Sequence, residues 1–551
     1  MIRFNWKGVL GTAMATSLFL SGCGIFTGTG TSSGGETLSD NQILRITESR
    51  DIPTLDSAKA ADVASFNILN NVEEGLFRPG KDRQPEKGIA YDYTVSKDKK
   101  TYTFKLRDDA KWSDGKPVTA YDFEYAWKRA LDPATKSQYA YILFPILNAE
   151  KYNAGKAKAS DVGVKAKDDH TLVVKLEHPM FNFIDLTTLA TYLPQRKDVV
   201  EKYKDQYGTK VDTLVFDGPF IVTNWNLQKM VLEKNDQYWD RNAVSLKEVD
   251  INIVKDTATG INMYNAGQVD VASLNQAFVD AFKQTNDFVK VEEASTYFIV
   301  FNQKDPFFSN DKIRKAISLA LDREQIADKI MKDGSKPAGS LVPPTLTGVG
   351  TESFRKNGEV VQRNVSQARD LFRQGLAELG MSKPPTNIVM IGYDTTAKKD
   401  VAVNIKEQLR TTLGLDIKLD APSWKVHLDR VNRGNFMMAM MGWGADYNDP
   451  VNFFEIFESK NPLNWAKFNN PQYDQLVETA KRETNQAKAY QDLSRAEKIL
   501  VGTDGDGQAA IAPLFYGGKA LVQKPYVKDL YRHSYGAEYS LKWAYIVKEK
   551  K

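Results

Sequence analysis

Apolar and polar positions repeat along this chain with two different periods. Residues 42–47 alternate, residues 101–106 (Thr-Tyr-Thr-Phe-Lys-Leu) do so strictly, and residues 170–177 repeat the pattern; each run predicts a half-buried strand. Between 64 and 76, Phe66, Leu69, Val72 and Leu76 fall near helical spacing and predict a helix. Thr119 with Asp122 three residues later has the form of a capping box. Phe123, Ala126, Trp127 and Leu131 then share one side of the helix it opens.

The second half has a different rhythm. Residues 387–393 predict an apolar strand, 400–413 an amphipathic helix, 416–419 a strand, 426–431 a helix, and 436–441 (Phe-Met-Met-Ala-Met-Met) a strand buried on both faces. This β-α-β-α-β order implies a parallel sheet. Residues 471–501 are predicted helical, with a break near 486–488. The buried strand runs into Gly442-Trp443-Gly444-Ala445-Asp446-Tyr447-Asn448-Asp449-Pro450. Ligands gather at the carboxyl ends of strands in open α/β sheets. Asp446 is therefore expected to receive a ligand's ammonium group, with Trp443 as a wall beside it, while Asp449 before Pro450 serves the turn.

Composition narrows the chemistry. A chain of 551 residues suits two or three domains. Its 74 basic and 70 acidic side chains are interspersed, so no nucleic-acid partner is expected. The single cysteine, Cys23, excludes an intramolecular disulfide and a thiolate metal cluster. His170, His178, His427 and His533 lack ligand spacing, so neither a metal nor a cofactor is expected. Gly30, Ser32 and Gly34 match a nucleophile-elbow spacing, but no strand precedes them and no helix follows. Asp504-Gly505-Asp506-Gly507 lacks the later carboxylate of a calcium loop and is expected to be a turn. No constellation for catalysis emerges, and the expectation is a protein that is not an enzyme.

The first residues change the picture again. Arg3 and Lys7 precede an apolar run at 9–20 that is short for a membrane span. Leu20-Ser21-Gly22-Cys23 resembles the bacterial lipobox, which implies cleavage before Cys23 and a diacylglycerol on its thiol. Residues 1–22 are thus expected to be a lipoprotein signal peptide. Residues 23–40, rich in Gly, Ser and Thr, are expected to be a flexible tether.

Four ordered motifs carry a family resemblance. AKWSDGKPVTAYDFEYAWKRALDPAT (110–135), VFDGPFIVTNW (215–225), KNDQYWD (234–240) and FNQKDPFFSNDKIRKAISLALDRE (301–324), followed by GWGADYNDP, resemble the family-5 extracellular solute-binding proteins. This is the oligopeptide-, dipeptide- and nickel-binding class that serves ABC importers, and the resemblance is to the oligopeptide-binding type. It implies a two-lobed α/β fold like that of periplasmic binding proteins, with an inserted subdomain and the ligand in the interlobe cleft. Lobe I would comprise 41–75, 205–297 and 517–551, the inserted subdomain 76–204, and the other lobe 298–516, with hinges near Tyr297 and Gly517-Gly518.

The resemblance also implies a site. Asp446 would bind a peptide's α-amino group, and Trp443 and Trp424 would line a side-chain pocket where Gly444 leaves backbone room. Tyr139 would lie near the ligand, Asn302 at the lobe interface, and Asp62 in a ligand-facing loop. Met440 stands where some relatives carry a basic residue, so the peptide's carboxylate would lack that partner. The implied protein is a monomer on the extracytoplasmic face of the cell membrane. Its partners would be an oligopeptide, the membrane subunits of an ABC permease, and the membrane itself through the lipid anchor. A dipeptide, a signalling peptide or a metal chelate is the alternative ligand for the same fold.

Overall fold

Two long strands organise the fold, and the computed structural model, which describes residues 37–81 and 84–548, places them side by side. The signal peptide, Cys23, the elbow-like spacing at 30–34 and most of the tether lie outside the described residues. In chain order the strands of the large sheet are β1 (Ile43–Glu48), β2 (Phe220–Trp225), β3 (Lys229–Lys234), β4 (Glu248–Ile253) and β5 (Val271–Leu274), then β6 (Phe288–Phe301), β7 (Val389–Ile391), β8 (Lys418–Asp420), β9 (Met438–Gly444) and β10 (Ile511–Gln523). Their spatial order is β8-β7-β9-β6-β10-β5-β1-β4-β3-β2, and the short strand Lys336–Pro337 pairs with β10 off this path.

The predicted β-α-β-α-β unit is present: β7 is parallel to both β8 and β9. The sheet is nevertheless mixed, because β9 runs antiparallel to β6, and β6 antiparallel to β10. The β6–β10 ladder shifts register between Glu292 and Thr296 and again between Tyr297 and Phe298. Such irregularities bend a strand and raise its twist. Gly518 in β10 is a steric requirement: a Cβ there would lie 2.3 Å from the Gly334 carbonyl carbon and 2.4 Å from the Ser335 nitrogen, and backbone cannot yield.

The apolar core is not continuous. One cluster draws on residues 294–515. A second combines 44–72, 193–271 and 527–546. A third uses Ala58, residues 76–192 and Tyr447, around a four-stranded antiparallel sheet ordered 90–95, 101–106, 171–175, 164–168. The helices needed below are α1 (Val63–Val72), α2 (Ala120–Leu131), α3 (Thr396–Leu413), α4 (Trp424–Asn432) and α5 (Val451–Phe454). α2 begins at the expected capping box, with Thr119 and Asp122 bonded reciprocally.

At three element boundaries a specific partner explains the difference from the sequence pattern. α1 ends at Val72 rather than 76, since Glu73 takes an extended conformation and the Gly218 N–H bonds to the Val72 carbonyl. The helical stretch at 471–501 breaks at 483–485, where Asn485 caps the second helix. β9 continues past 441 to Gly444, because β6 offers Thr296 and Ser295 as partners for Trp443 and Gly444. Trp443 is thus inside the strand, and Asp446 alone of the pair falls beyond its end.

Candidate functional site

Asp446 lies two residues past the carboxyl end of β9, where the Ala445 N–H donates to the Ala294 carbonyl at 2.7 Å and ties the turn to β6. α5 follows at once, and its buried Asn452 holds the loop. The Asn452 Oδ1 accepts from the Asp446 N–H (3.1 Å) and from the Trp443 indole N–H (3.2 Å), while its Nδ2 faces Asp446 Oδ2 and Glu455 Oε1, each at 3.4 Å. Across the gap, the Tyr141 hydroxyl donates to Asp446 Oδ2 at 3.1 Å. Burial pushes the Asp446 carboxyl above the usual carboxylate range, offset in part by hydrogen bonds from Tyr141 and Asn452. Its partners are all neutral: among the described residues no cation pairs with it.

A cavity of about 220 Å³ opens beside this carboxylate. Its walls come from α1 and the chain after it, from residues 188–193, from Gly444 to Asp446, and from 535–537. Tyr139 lines it, packed edge-on against Phe66 at 5.3 Å, and burial together with the Asp446 charge pushes the Tyr139 phenol up to about 12. A second cavity of about 230 Å³ adjoins the first through Val63, Gly444 and Ala445 and carries Arg50, Glu293 and Lys519.

The expected site residues therefore separate into groups. Asp446, Gly444 and Tyr139 line one cavity. Asp62 stands at its edge, next to Val63, but its carboxylate caps α1 by accepting from the Ser65 N–H (2.9 Å) and hydroxyl (2.8 Å). Trp443 is half-buried against Trp465, with its indole spent on Asn452. Trp424 opens α4, is 42% exposed, and stacks on Tyr393 at 5.1 Å. The two tryptophans do not contact each other in this structure. A Cβ at Gly444 would make only an ordinary contact, 3.8 Å from the Ser295 Cβ; the glycine that sterics demand is Gly442, where a Cβ would lie 2.7 Å from the Tyr297 ring.

Asn302 is engaged within the fold. Its amide donates to the Gly434 (3.1 Å) and Phe436 (2.9 Å) carbonyls, its oxygen accepts from the Lys304 N–H, and it sits past Phe301, at the opposite end of the β6–β9 ladder from Gly444. It anchors the entry to β9. Met440 is fully buried in the core, so a basic residue in this backbone position would have no solvent. A cation lies on a neighbouring element: Lys398, in the first turn of α3, puts its ammonium 3.5 Å from the Tyr297 ring centre and 4.4 Å from that of Phe515. Burial lowers this lysine to about 8, against the pull of Asp333 and Glu293. Sequence reasoning passed over Tyr141, Asn452 and Lys398. Tyr141 follows Tyr139 by two positions and Asn452 follows the aspartate motif; nothing local marks Lys398.

Behind the Asp446 loop lies a cluster of buried acids. Burial pushes Asp449 and Glu455 up to about 7 and Asp185 to about 6; Glu455 is relieved by Lys481 and raised further by Asp446 and Asp449. A carboxyl raised in the folded state stabilises the fold most below its unfolded value, and that contribution is lost as pH rises through the folded one. Glu455→Gln should therefore gain stability relative to the parent between pH 5 and pH 8, by about 1–3 kcal/mol. Urea unfolding of both proteins at the two pH values checks this; a difference independent of pH would refute it.

A mixed α/β fold built on one large sheet, with a carboxylate-lined cavity at the carboxyl end of β9, is the architecture of the two-lobed solute-binding proteins. The chain belongs to the bacterial extracellular solute-binding proteins of family 5, whose middle-region model matches residues 84–465. It is 34% identical over 540 residues to the dipeptide-binding protein DppE of Bacillus subtilis, covering 97% of this chain and 98% of that one. It is 35% identical over 533 residues to the oligopeptide-binding protein OppA of the same organism, covering 95% and 96%. The structure of Listeria monocytogenes OppA bound to peptide superimposes with a TM-score of 0.76 at 36% identity, over 93% of this chain and all of that one. Among the described residues there is no helix long and apolar enough to cross a membrane, and no group of three His, Cys, Asp or Glu able to hold a metal ion.

Proposed function

We propose that this protein captures short peptides between its lobes and delivers them to an ABC permease, and that it is held on the extracytoplasmic face of the cell membrane through a lipid on Cys23. The observation that carries the reading is Asp446: a carboxylate at the wall of a cavity, held by neutral donors and lacking a cation. A peptide's α-ammonium supplies the missing charge, in a charge-assisted hydrogen bond that strengthens as closure excludes water. The names of the relatives, which include both dipeptide- and oligopeptide-binding proteins, support the ligand class. Lys398 is suited to the peptide's carboxylate, because its half-buried ammonium lies over two rings and, among the described residues, makes no ion pair within 4.0 Å.

Closure in this reading moves residues 41–75, 205–297 and 517–551 against 298–516, with 76–204 as the inserted subdomain. The hinge lies at the register shifts of β6 and β10, where a few residues can absorb the rotation. Only a ligand that binds the closed form better shifts that equilibrium, and the closed form is what a permease can recognise.

Calorimetric titration of the protein lacking residues 1–36 with a tripeptide, its N-acetyl form and its C-terminal amide tests the reading. Binding of the free tripeptide, with both blocked forms weaker, is expected; no binding of any free peptide would overturn it. Cys23→Ser should release the full-length protein from the membrane fraction into the medium. Retention in the membrane would refute the anchor while leaving the peptide reading intact.

A further inference from the structure

The cavity beside Asp446 contains a second acid whose position the capture of an α-amino group does not explain. Glu73 follows α1 as its C-cap, where its N–H donates to the Leu69 carbonyl. Its side chain is turned inward, with 2% of the residue exposed, and it contributes to the cavity wall. The Oε2 atom is buried with no hydrogen-bond partner, and among the described residues the carboxyl pairs with no cation.

The charged groups around it cannot supply one. Asp217 and Asp56 are the neighbours that act on it, both of the same sign, and with burial they push its carboxyl well above the usual range. Asp56 already takes both arms of the Arg129 guanidinium, at 2.7 Å each. Arg78, also in the cavity wall, is held by Glu74 at 2.8 Å and by the Asn70 carbonyl at 3.1 Å. A buried carboxyl without a partner costs free energy, and such groups persist where a ligand completes them.

The cavity's other walls say what that ligand looks like. Val63, Phe66, Phe77, Leu189 and Leu193 offer apolar surface. Apolar walls with a carboxylate besides Asp446 suit a side chain built as a methylene stem with a cationic tip. We propose that Glu73 makes this cavity the receptor for the basic side chain of a peptide whose α-ammonium sits on Asp446. The peptides preferred would then begin with a lysine-, ornithine- or arginine-like residue. This rests on the reading of Asp446 as the amino-terminal anchor.

The test is a calorimetric comparison of Lys-Ala-Ala with norleucine-Ala-Ala, which has the same stem without the ammonium, on the parent protein and on Glu73→Gln. The parent is expected to prefer the lysine peptide by roughly tenfold or more. Glu73→Gln should bring the two peptides to within about twofold of each other, by lowering affinity for the lysine peptide alone. Equal affinities on the parent, or a preference that survives in the variant, would overturn the proposal while leaving peptide capture standing. Equal affinity is also what a protonated Glu73 bonded to ligand backbone would give. Binding of neither peptide would overturn both readings. The parent comparison decides the matter even if the variant folds poorly.

Discussion

Asp446→Asn is expected to weaken the binding of a free-amino tripeptide by roughly two to three orders of magnitude, about 3–4 kcal/mol. The substitution keeps the shape of the side chain and its contacts with Tyr141 and Asn452, so the cavity wall persists. What disappears is the negative charge, and an α-ammonium drawn into a closed cleft would then be buried without a counter-ion. The N-acetyl peptide provides the control, because its affinity should be equal on the two proteins. The pH profile gives a second reading of the same interaction. Burial raises the Asp446 carboxyl, and only its ionised form attracts the ligand, so affinity should fall as pH falls through that raised value. On the alkaline side it should fall as the peptide's amino group, at roughly 7.7–8.0, loses its proton. The profile for the parent is therefore a bell, and the acid limb should be absent in Asp446→Asn. An unchanged affinity, or the same acid limb in both proteins, would remove Asp446 from the site.

The second large effect is on folding. Arg78→Met should cost about 3–5 kcal/mol of stability, because it strands Glu74 in the core. The two side chains are 3% and 0% exposed and pair at 2.8 Å; Arg78 also donates to the Asn70 carbonyl at 3.1 Å and to the Tyr238 hydroxyl at 3.3 Å. Its guanidinium lies 5.3 Å from the Trp543 ring centre, so one residue ties α1, the 238 region and the C-terminal segment together. Methionine restores the apolar volume but none of these bonds. Lys542 is attracted by Glu74 as well, yet it is already committed to Asp240 at 2.7 Å. Urea unfolding followed by circular dichroism measures the loss. The double variant Arg78→Met, Glu74→Gln should recover at least half of it, since removing both charges abolishes the stranded carboxylate. A double variant as unstable as the single one would place the cost in packing instead.

Much of the fold was legible in the chain because it follows from local rules. Strict alternation at 101–106 and the capping box at Thr119 needed only the periods of strand and helix. The apolar run after 436 needed only length and flanking glycines, and the parallel arrangement of β7, β8 and β9 followed from the order of elements. Boundaries failed where a distant partner set them. β9 runs on to Gly444 because Ser295 and Thr296 are there to pair with, and α1 stops at Val72 because Gly218 packs against its last turn. The surroundings of Asn302 were illegible for the same reason: its amide bonds to residues more than a hundred positions away.

The sequence by itself determined the class of fold and the family, and it singled out Asp446, because motif order and hydrophobic period are properties of the chain alone. Only the tertiary structure decided what surrounds that aspartate. Tyr141 reaches Asp446 from a segment 305 residues away, Lys398 lies over the Tyr297 and Phe515 rings, and Glu73, in the same cavity wall as Asp446, is left with an unpartnered carboxyl oxygen. Charge pairing depends on separations of a few ångströms between segments hundreds of residues apart, and no local pattern encodes them. Asp446 could thus be picked out from its neighbours in the chain, whereas the surroundings of Asp446 and Glu73 depend on their neighbours in space.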